Sequence, residues 1–378
     1  MATKMKKPPA PPRPTVDPAP SETSPAAAEG AGARELAEWI VWVAEQHLRG
    51  CTPESMLAVM TAGGLEQEES ASVIELVPAH PLYLALQRQR QLLRKLESTA
   101  ANLQTMWELD PTYGAVDKRA VVSEHEFVDR YVRGCRPVVL TGHARDWPAM
   151  RTWSPTDLKA RFGHLDVEIQ AERKANPRYE EDKLAHRRTV RLADFVDQVM
   201  AGGETNDYYM TANNEALRRP EFAPLLADIG SLPPCCNRAE LAERSSFWFG
   251  PAGTVTPLHH DTLMLFHTQV VGRKRWRLIS PLQGPRLYNT NGVFSPIDLD
   301  AVDLEQFPLF KDVQVLEVVV EPGETMFLPL GWWHQVRALD ISLSFSYSNL
   351  ALPVPNQFTY ADADLPPVPP VPPVPPKP

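Results

Sequence analysis

The sequence predicts an α+β protein in which a small N-terminal helical domain precedes a larger jelly-roll domain, with proline-rich tails at both ends. Apolar residues first recur at helical spacing, and the chain then changes to many short strands without alternating helices. The 39 prolines among 378 residues exceed the usual content of a globular protein and indicate disordered ends. The predicted regions are a tail at 1–33, a helical domain at 34–110, the jelly-roll domain at 111–352 and a tail at 353–378.

The two tails contain few side chains that could form a core. Residues 1–33 are rich in Pro, Ala, Ser and Gly, and residues 365–378 repeat Pro-Pro-Val. Such segments bury too little apolar surface to offset the entropy of ordering, so both tails are predicted to be disordered. The C-terminal repeat favours a polyproline II conformation, which serves either as a stiff spacer or as a docking site for a proline-recognising domain.

The helical domain is predicted from apolar residues that recur every three or four positions. Thr52 followed by Pro53 is typical of a helix N-cap and first turn. The last helix has one apolar face among many Gln and Arg residues, as in a long exposed helix. The predicted helices span residues 34–49, 52–62, 67–76 and 81–107. The domain is interpreted either as a partner-binding or dimerisation module or as a scaffold for the next domain.

After residue 110 the pattern becomes one of short strands. Ser123 and Glu126 have the spacing of a capping box that opens a helix, and the first strand is predicted at 137–140. Further strands are predicted at 165–171, 206–211, 245–250, 263–271, 274–280, 314–321, 324–329 and 341–348. Many short strands separated by Gly or Pro are typical of a jelly roll.

Composition excludes several classes of function. A net charge of −9 without a basic stripe disfavours nucleic acid as a partner. No run approaches the roughly 20 apolar residues of a membrane span, so no membrane association is expected. The four cysteines include no Cys-x-x-Cys pair, which disfavours disulfides and a cysteine zinc site. We therefore expect a cytoplasmic protein, and we find no dinucleotide-binding, Walker or nucleophile-elbow motif.

Three residues have the pattern of a metal site. His259 and Asp261 are two positions apart, so on a strand their side chains point to the same side. His334 follows a turn and a further predicted strand and is the natural third ligand. Two histidines and one carboxylate leave about three positions of an octahedral metal open, as in non-haem Fe(II) oxygenases. A structural zinc site would need a fourth protein ligand.

The surrounding motifs resemble the cupin-like branch of the jumonji-C oxygenases, a branch that includes an asparaginyl hydroxylase. The resemblance spans roughly residues 120–350 and rests on the segments 136–140, 146–148, 256–261, 272–275, 322–324, 328–329 and 332–334. It implies a double-stranded β-helix of the cupin type, with Fe(II) as metal, 2-oxoglutarate as cosubstrate and O₂ as oxidant. It also implies oxidative decarboxylation to succinate and CO₂, coupled to hydroxylation of a substrate C–H bond.

The resemblance also implies which residues contact 2-oxoglutarate. The family positions for the cation and the hydroxyl that hold the far carboxylate are occupied by Lys274 and Thr256. The position of a tyrosine that contacts the same carboxylate corresponds to Tyr209, whereas Tyr208 would face the opposite way on a strand. A catalytically silent binding protein would be expected to lack such a lysine or part of the metal triad.

The chain departs from the asparaginyl hydroxylase at two positions near the cosubstrate. Leu265 and Ser344 stand where that enzyme has asparagines. Asparaginyl activity therefore does not carry over to this chain.

Four tryptophans lie near the motifs. Trp332 and Trp333 precede His334, and we expect them to wall the mouth of the barrel and exclude water. Trp248 and Trp276 lie in predicted strands and are interpreted as core residues.

The predicted function is hydroxylation of a protein or peptide side chain, with demethylation as a variant in which a hydroxylated N-methyl group leaves as formaldehyde. Loops at 172–190 and 283–312 are expected to recognise the substrate, and a homodimer is considered. Two alternatives stay open: a silent jumonji-like binding protein, and a metal-dependent cupin enzyme that does not use 2-oxoglutarate. Lys274 together with Thr256 argues against the second alternative.

Overall fold

The structure, a computed structural model, describes residues 25–212, 214–289, 292–353 and 356. Most of both predicted tails, including the C-terminal proline repeat and its proposed docking role, lies outside these residues. The chain divides into two compact units between Arg94 and Lys95, and we describe each unit separately. In the described part of the chain, no helix combines the length and the apolar character that crossing a bilayer requires.

The first unit is helical, with its core between the helices. Its helices are α1 (Pro25–Arg49), α2 (Pro53–Ala62), α3 (Gln67–Leu76) and the first part of α4 (Pro81–Glu108). Its core consists of Trp42, Val43, Ala44, Met56, Met60, Val73, Ile74, Val77 and Tyr83. The amphipathic spacing seen in the sequence therefore places one face of each helix in a shared core.

The helix boundaries follow local signals, with one exception. The Thr52 side chain accepts a hydrogen bond from the backbone N of Ser55 at 3.3 Å, and Pro53 is the first residue of α2, as predicted. However, α1 begins at Pro25, inside the segment predicted to be a disordered tail. Alanine has the highest intrinsic helix propensity, so the Ala-rich stretch after Pro25 extends the helix toward the N-terminus.

The division between the units lies inside α4, whereas the sequence predicts a domain boundary at residue 110. The C-terminal part of α4 belongs to the second unit because its side chains pack there. Gln104 accepts a hydrogen bond from the Tyr113 hydroxyl at 3.1 Å, and Trp107 packs on the core cluster that contains Val139 and Trp276.

The second unit contains the remaining helices and all the strands. Its helices after α4 are α5 (Glu124–Glu126), α6 (Ala149–Thr152), α7 (Pro155–Phe162), α8 (Lys183–His186), α9 (Leu192–Ala201) and α10 (Ala223–Ala227). Its strands are β1 (Asp117–Arg119), β2 (Val138–Leu140), β3 (Asp166–Gln170), β4 (Arg187–Arg191), β5 (Ser245–Gly250), β6 (Val255–His260), β7 (Leu265–Val271), β8 (Lys274–Ile279), β9 (Leu316–Val320), β10 (Thr325–Leu328), β11 (Trp333–Ala338) and β12 (Ser342–Tyr347).

Two sheets form the body of this unit, consistent with the predicted jelly roll. The larger sheet has the strand order β1-β2-β10-β7-β12-β5, and the smaller has the order β6-β11-β8-β9. Apart from the parallel pair β1–β2, the neighbouring strands are antiparallel. The pair β3–β4 forms a separate small sheet.

Several strands differ from the prediction. The predicted strand at 206–211 is absent, and Tyr209 and Met210 form only isolated bridges to Gln170 and Phe249. Strands β1, β4 and β11 were not predicted, whereas β6 coincides with the strand that the metal-site argument assumes for His259. Strand β4 escapes detection because it is rich in arginine, and its arginines pair across the strands with carboxylates of β3 instead of entering a core.

The predicted capping box is present. The Ser123 side chain accepts a hydrogen bond from the backbone N of Glu126 at 3.2 Å at the start of α5. The helix then continues in the π form over Phe127–Arg133, where the buried rings of Phe127 and Tyr131 enter the main core.

Candidate active site

Strand β6 contains a bulge that directs its polar side chains into one cavity. His334 of β11 is the register partner of His259, but Val336 of β11 is the partner of Thr256. Between these two pairs β11 advances by two residues and β6 by three, so β6 contains one extra residue. The extra residue lies at Pro257–Leu258. Strand β6 is the edge of its sheet, where a proline is tolerated because no ladder hydrogen bond is lost.

The structure places all six predicted site residues around this cavity. The cavity has a volume of about 510 Å³ and lies between the two sheets of the second unit. Its lining includes Tyr209, Thr256, His259, Asp261, Lys274 and His334. Residues from both loops expected to recognise substrate, such as Glu180 and Phe294, also contribute to the lining.

The three predicted metal ligands lie close together. One potential ligand atom from each of His259, Asp261 and His334 lies within 4.8 Å of the other two. His334 Nε2 lies 3.7 Å from Asp261 Oδ2, and the two imidazole rings have centroids 4.0 Å apart. Asp261 follows the last residue of β6, so its carboxylate reaches the cavity from the end of the strand and not from within it.

Backbone carbonyls fix the orientation of both imidazoles. His259 Nδ1 lies 2.8 Å from the carbonyl oxygen of Pro257, and His334 Nδ1 lies 3.0 Å from that of Trp332. A carbonyl oxygen only accepts, so Nδ1 must be the donor in each ring. In the neutral imidazole this leaves the Nε2 lone pair free, which is the form that binds a metal.

The protonation states of these groups suit a cation. Burial is the main cause that lowers the pKa of His334 well below its usual value, so this ring is neutral at physiological pH. Burial raises the pKa of Asp261, and the neighbouring charges of His259 and His260 oppose this shift. A bound cation would favour the ionised carboxylate, so this donor set fits a divalent metal with open coordination positions.

Lys274 is a buried cation without a carboxylate partner. Only 2% of the residue is exposed, and its Nζ donates to Tyr209 Oη at 3.0 Å and to Ser344 Oγ at 2.8 Å. Burial alone lowers the pKa of Lys274 to about 7, with no acidic group of the described residues contributing. A buried ammonium of this kind is stabilised by an incoming anion, so the site fits the carboxylate of a ligand.

Tyr209 is held between two cations. Its hydroxyl accepts the hydrogen bond from Lys274, and the guanidinium of Arg173 lies 5.4 Å from its ring centroid. Arg173 is fully buried, and its Nη2 donates to Glu180 Oε1 at 2.9 Å and to the carbonyl oxygen of Val255 at 2.8 Å. Arg173 thus connects the ring of Tyr209 to the start of β6.

Thr256 and Tyr208 lie as the sequence analysis expects. Thr256 lines the cavity, and its hydroxyl has no hydrogen-bond partner among the described residues. Tyr208 faces away from the cavity, where its hydroxyl donates to the carbonyl oxygen of Gln198 at 3.2 Å and its ring packs on Phe195.

The expectation for Trp332 and Trp333 is wrong, and that for Trp276 is confirmed. Trp332 and Trp333 do not line the cavity: the Trp332 indole donates to the carbonyl oxygen of Cys135 at 2.8 Å within the core, and Trp333 packs in a separate core cluster. Trp276 is buried in the core cluster with Val139, and it also lines the cavity because it lies two residues after Lys274 on β8 and shares its face. Trp248, interpreted as core, is only half-buried and lines the cavity.

Two further residues beside Lys274 have no binding role in the sequence analysis. His267 is buried, and its Nε2 lies 3.5 Å from Lys274 Nζ. It lies two residues after Leu265 on β7, so strand alternation from Leu265 would have identified it. Ser344, noted only as a departure, is a direct partner of Lys274. For Arg173 the sequence contains no comparable signal.

Comparisons with known proteins agree with this geometry. The family model described as "Cupin-like domain" matches residues 123–351, more than half of the chain. The chain is 31% identical over 240 residues to "Lysine-specific demethylase 8" of Xenopus tropicalis, covering 62% of this chain and 52% of that protein. It is 32% identical over 241 residues to "Lysine-specific demethylase JMJ30" of Arabidopsis thaliana, covering 61% and 54%.

A third relative is "Jumonji C domain-containing protein 5" of Drosophila melanogaster, which is 29% identical over 237 residues, covering 60% of this chain and 57% of that protein. The chain spans about half the length of these curated relatives. The family match covers every strand of the two main sheets except β1 and every residue of the predicted site. The chain therefore belongs to the cupin-like branch of the jumonji-C oxygenase family.

Proposed function

We propose that this protein is an Fe(II)- and 2-oxoglutarate-dependent hydroxylase that acts on a protein or peptide side chain. The observation that carries this proposal is the pairing, in one cavity, of the His259, Asp261 and His334 cluster with the unpaired ammonium of Lys274. The cluster has the donor set of a non-haem iron site, and the lysine has the charge and the burial that a dicarboxylate ligand requires.

His259, Asp261 and His334 would hold the metal. When bound, iron and 2-oxoglutarate together supply the oxidation of a substrate C–H bond by O₂, with succinate and CO₂ as coproducts. The protein contributes ligand orientation: the carbonyls of Pro257 and Trp332 accept from Nδ1 of the two histidines, which leaves Nε2 as the nitrogen available to the metal.

Lys274, Tyr209, Ser344 and Thr256 would bind the far carboxylate of 2-oxoglutarate. Lys274 provides the charge, the hydroxyls of Tyr209 and Ser344 already contact its Nζ, and Thr256 lines the same cavity as Lys274 and Tyr209 and would be a further donor. In the structure Lys274 Nζ shares its hydrogens with Tyr209 and Ser344, so these residues keep the ammonium oriented before a ligand arrives. Trp248 and Trp276 line the cavity with apolar surface that limits access of water.

A protein substrate is supported by the rim of the cavity and by the names of two relatives. The rim carries charged side chains of both signs, namely Glu180, Lys183, Glu215, Arg218, Glu243 and Arg244. Such a rim suits a solvated polypeptide better than a small apolar molecule. Two relatives are named lysine-specific demethylases, and N-demethylation begins with the same C–H hydroxylation. Demethylation of lysine is therefore the second candidate activity.

The test is formation of succinate from 2-oxoglutarate by the purified chain with Fe(II) and ascorbate. We expect turnover in the wild type and its loss in His259→Ala and in Lys274→Ala. His125→Ala and Lys159→Ala serve as matched controls, because both residues are on the surface and distant in sequence from the cavity lining. If His259→Ala forms succinate at the same rate as the wild type, the proposed metal site is contradicted.

Binding measurements separate the two alternatives. Calorimetric titration of 2-oxoglutarate into the metal-loaded protein should give tight binding that Lys274→Ala weakens by about tenfold or more, since a buried charged hydrogen bond is lost. Binding without turnover would identify a silent binding protein. Metal binding without 2-oxoglutarate binding would identify a cupin enzyme of another type. Formaldehyde release from methylated peptides distinguishes demethylation from stable hydroxylation.

A further inference from the structure

Helix α4, the longest helix among the residues that the structure describes, has an apolar face that is exposed. On α4, Leu86, Leu93, Leu96 and Leu103 are 49%, 56%, 58% and 48% exposed. Isolated exposed leucines are common, but a contiguous row along one helix marks an interaction surface.

The exposed residues follow a heptad repeat. Successive members are separated by alternating steps of four and three residues, and the stripe consists of Leu82, Leu86, Gln89, Leu93, Leu96, Ala100 and Leu103. Leu92 and Met106 flank it and are also exposed. A stripe that repeats every 3.5 residues keeps its face toward a partner helix, and its best complement is a helix with the same repeat.

We propose that α4 pairs with α4 of a second copy of this chain, forming an antiparallel homodimer through this stripe. The stripe is complementary to itself in size when the two helices run in opposite directions. Leu86 then lies opposite Leu103 of the other copy, Leu93 opposite Leu96, and Gln89 opposite Ala100. A parallel pair would instead place two glutamines face to face and leave a void between two alanines.

Charge favours the same direction. Arg90 and Glu97 each follow a stripe residue and flank the same edge of the stripe, and neither forms an ion pair within residues 36–353 that the structure describes. In an antiparallel pair this edge meets the same edge of the other copy, so Arg90 of each copy approaches Glu97 of the other and two equivalent ion pairs form. In a parallel pair the edge faces Leu92 and its equivalents, and no ion pair forms.

The area matches a weak but specific dimer. Seven large apolar side chains of the stripe and its flanks are each about half exposed. If the partner covers on the order of 90 Å² of each side chain, the dimer buries about 600 Å² of surface per copy and about 1,200 Å² in total. This area is at the lower end for specific protein interfaces. We therefore expect dissociation in the micromolar range.

Sedimentation equilibrium of the full chain between about 1 and 100 µM tests the dimer. The wild type should approach twice the 42.3 kDa protomer mass. Leu93→Glu/Leu96→Glu should stay at the protomer mass, while Gln87→Glu/Gln91→Glu adds the same charge to the opposite face and should still dimerise. The proposal is overturned if the wild type has the protomer mass at every concentration, or if Leu93→Glu/Leu96→Glu still dimerises. In the first case a different protein would be the partner that covers the stripe.

A charge exchange tests the direction of pairing. Arg90→Glu places two glutamates at each proposed ion pair and should raise the dimer dissociation constant about threefold to tenfold. Arg90→Glu/Glu97→Arg restores opposite charges and should return the constant to the wild-type value. A dissociation constant unchanged by Arg90→Glu, or not rescued by the double exchange, contradicts the antiparallel arrangement.

Discussion

At the scale of single residues, the cavity is organised around one buried positive charge. Lys274 Nζ has two hydroxyl partners and a nearby imidazole but no carboxylate among the described residues. Burial of an unpaired charge is unfavourable, and a protein retains it where a ligand completes the pair. The geometry around Lys274 therefore argues for an anionic ligand independently of any sequence motif.

The first prediction concerns the pH dependence of 2-oxoglutarate binding. Burial lowers the pKa of Lys274 to about 7, so the ammonium form dominates below that pH and the neutral amine above it. An anion binds the ammonium form, so affinity is retained at lower pH and falls as pH rises. Between pH 7 and 8 the dissociation constant should increase about fivefold in calorimetric titrations. Lys274→Met should bind weakly at both values, and a pH-independent wild type would contradict this assignment.

The second prediction concerns Arg173, which holds Tyr209, Glu180 and the carbonyl of Val255. Arg173→Met/Glu180→Met removes the buried pair together, so no uncompensated charge is left to unfold the protein. We expect the KM for 2-oxoglutarate to rise about tenfold because Tyr209 loses its support. Metal affinity should be unchanged. Arg178→Met, an exposed neighbour, is the control, and an equal loss of metal affinity would indicate a general structural defect.

At the scale of elements, the bulge in β6 explains what the sequence could and could not predict. Alternation identifies His259 and Asp261 as a pair, and His334 was predicted as the third ligand from its position after a turn and a further strand. The same rule places Thr256, three residues before His259, on the opposite face. Only the register shift against β11 returns it to the cavity, and a register shift depends on the partner strand.

Elements defined by local signals were predicted well, and those defined by pairing were not. The cap at Thr52 and the bounds of α3 agree with the structure because they depend on neighbouring residues alone. Strand β4 and the contacts of Arg173 depend on residues distant in sequence. Trp276 was correctly interpreted as a core residue, but its second contact, with the cavity, depends on the strands that face β8.

The third prediction concerns the turn between β7 and β8, which delivers Lys274. Gly272 has a φ of +71°, and a Cβ there would lie 2.2 Å from the carbonyl oxygen of Ile341. Gly272→Ala should therefore destabilise the protein by about 2–4 kcal/mol in urea unfolding.

Gly323→Ala is the matched control for this turn. Its φ is +84°, but a Cβ there would meet only ordinary contacts, the nearest at 3.6 Å. We expect a cost of about 1 kcal/mol from the left-handed backbone alone. If Gly272→Ala and Gly323→Ala lower the free energy of unfolding by equal amounts, the turn shifts and relieves the clash with Ile341.

At the scale of the whole molecule, every residue of the cavity belongs to the second unit, and the first unit supplies none. The proposed chemistry and the proposed dimer surface are thus distributed differently along the chain. The stripe on α4 crosses the point where the two units divide, whereas the cavity lies wholly beyond it.

The fourth prediction follows from this division. Saturation with metal and 2-oxoglutarate at about 100 times the dissociation constant stabilises the unit that binds them by about 2.7 kcal/mol. Hydrogen exchange should slow in β6, β8 and β11 of the second unit. Amides of α2 and α3, which contain no cavity residue, should exchange at unchanged rates. Slowing of similar size in both units would show that they open as one cooperative body.

The carbonyl contacts of the two histidines have a consequence for assembly of the site. Each ring is oriented by the residue two positions before it in the sequence, and β6 and β11 are direct register neighbours. Both nitrogen donors are therefore complete once β6 and β11 have paired. Tyr209, Lys274 and Ser344 instead come from three separate segments of the chain. During folding, the proposed metal site should therefore be complete before the proposed cosubstrate site, so a partly folded chain would hold a metal before it could support the proposed oxidation.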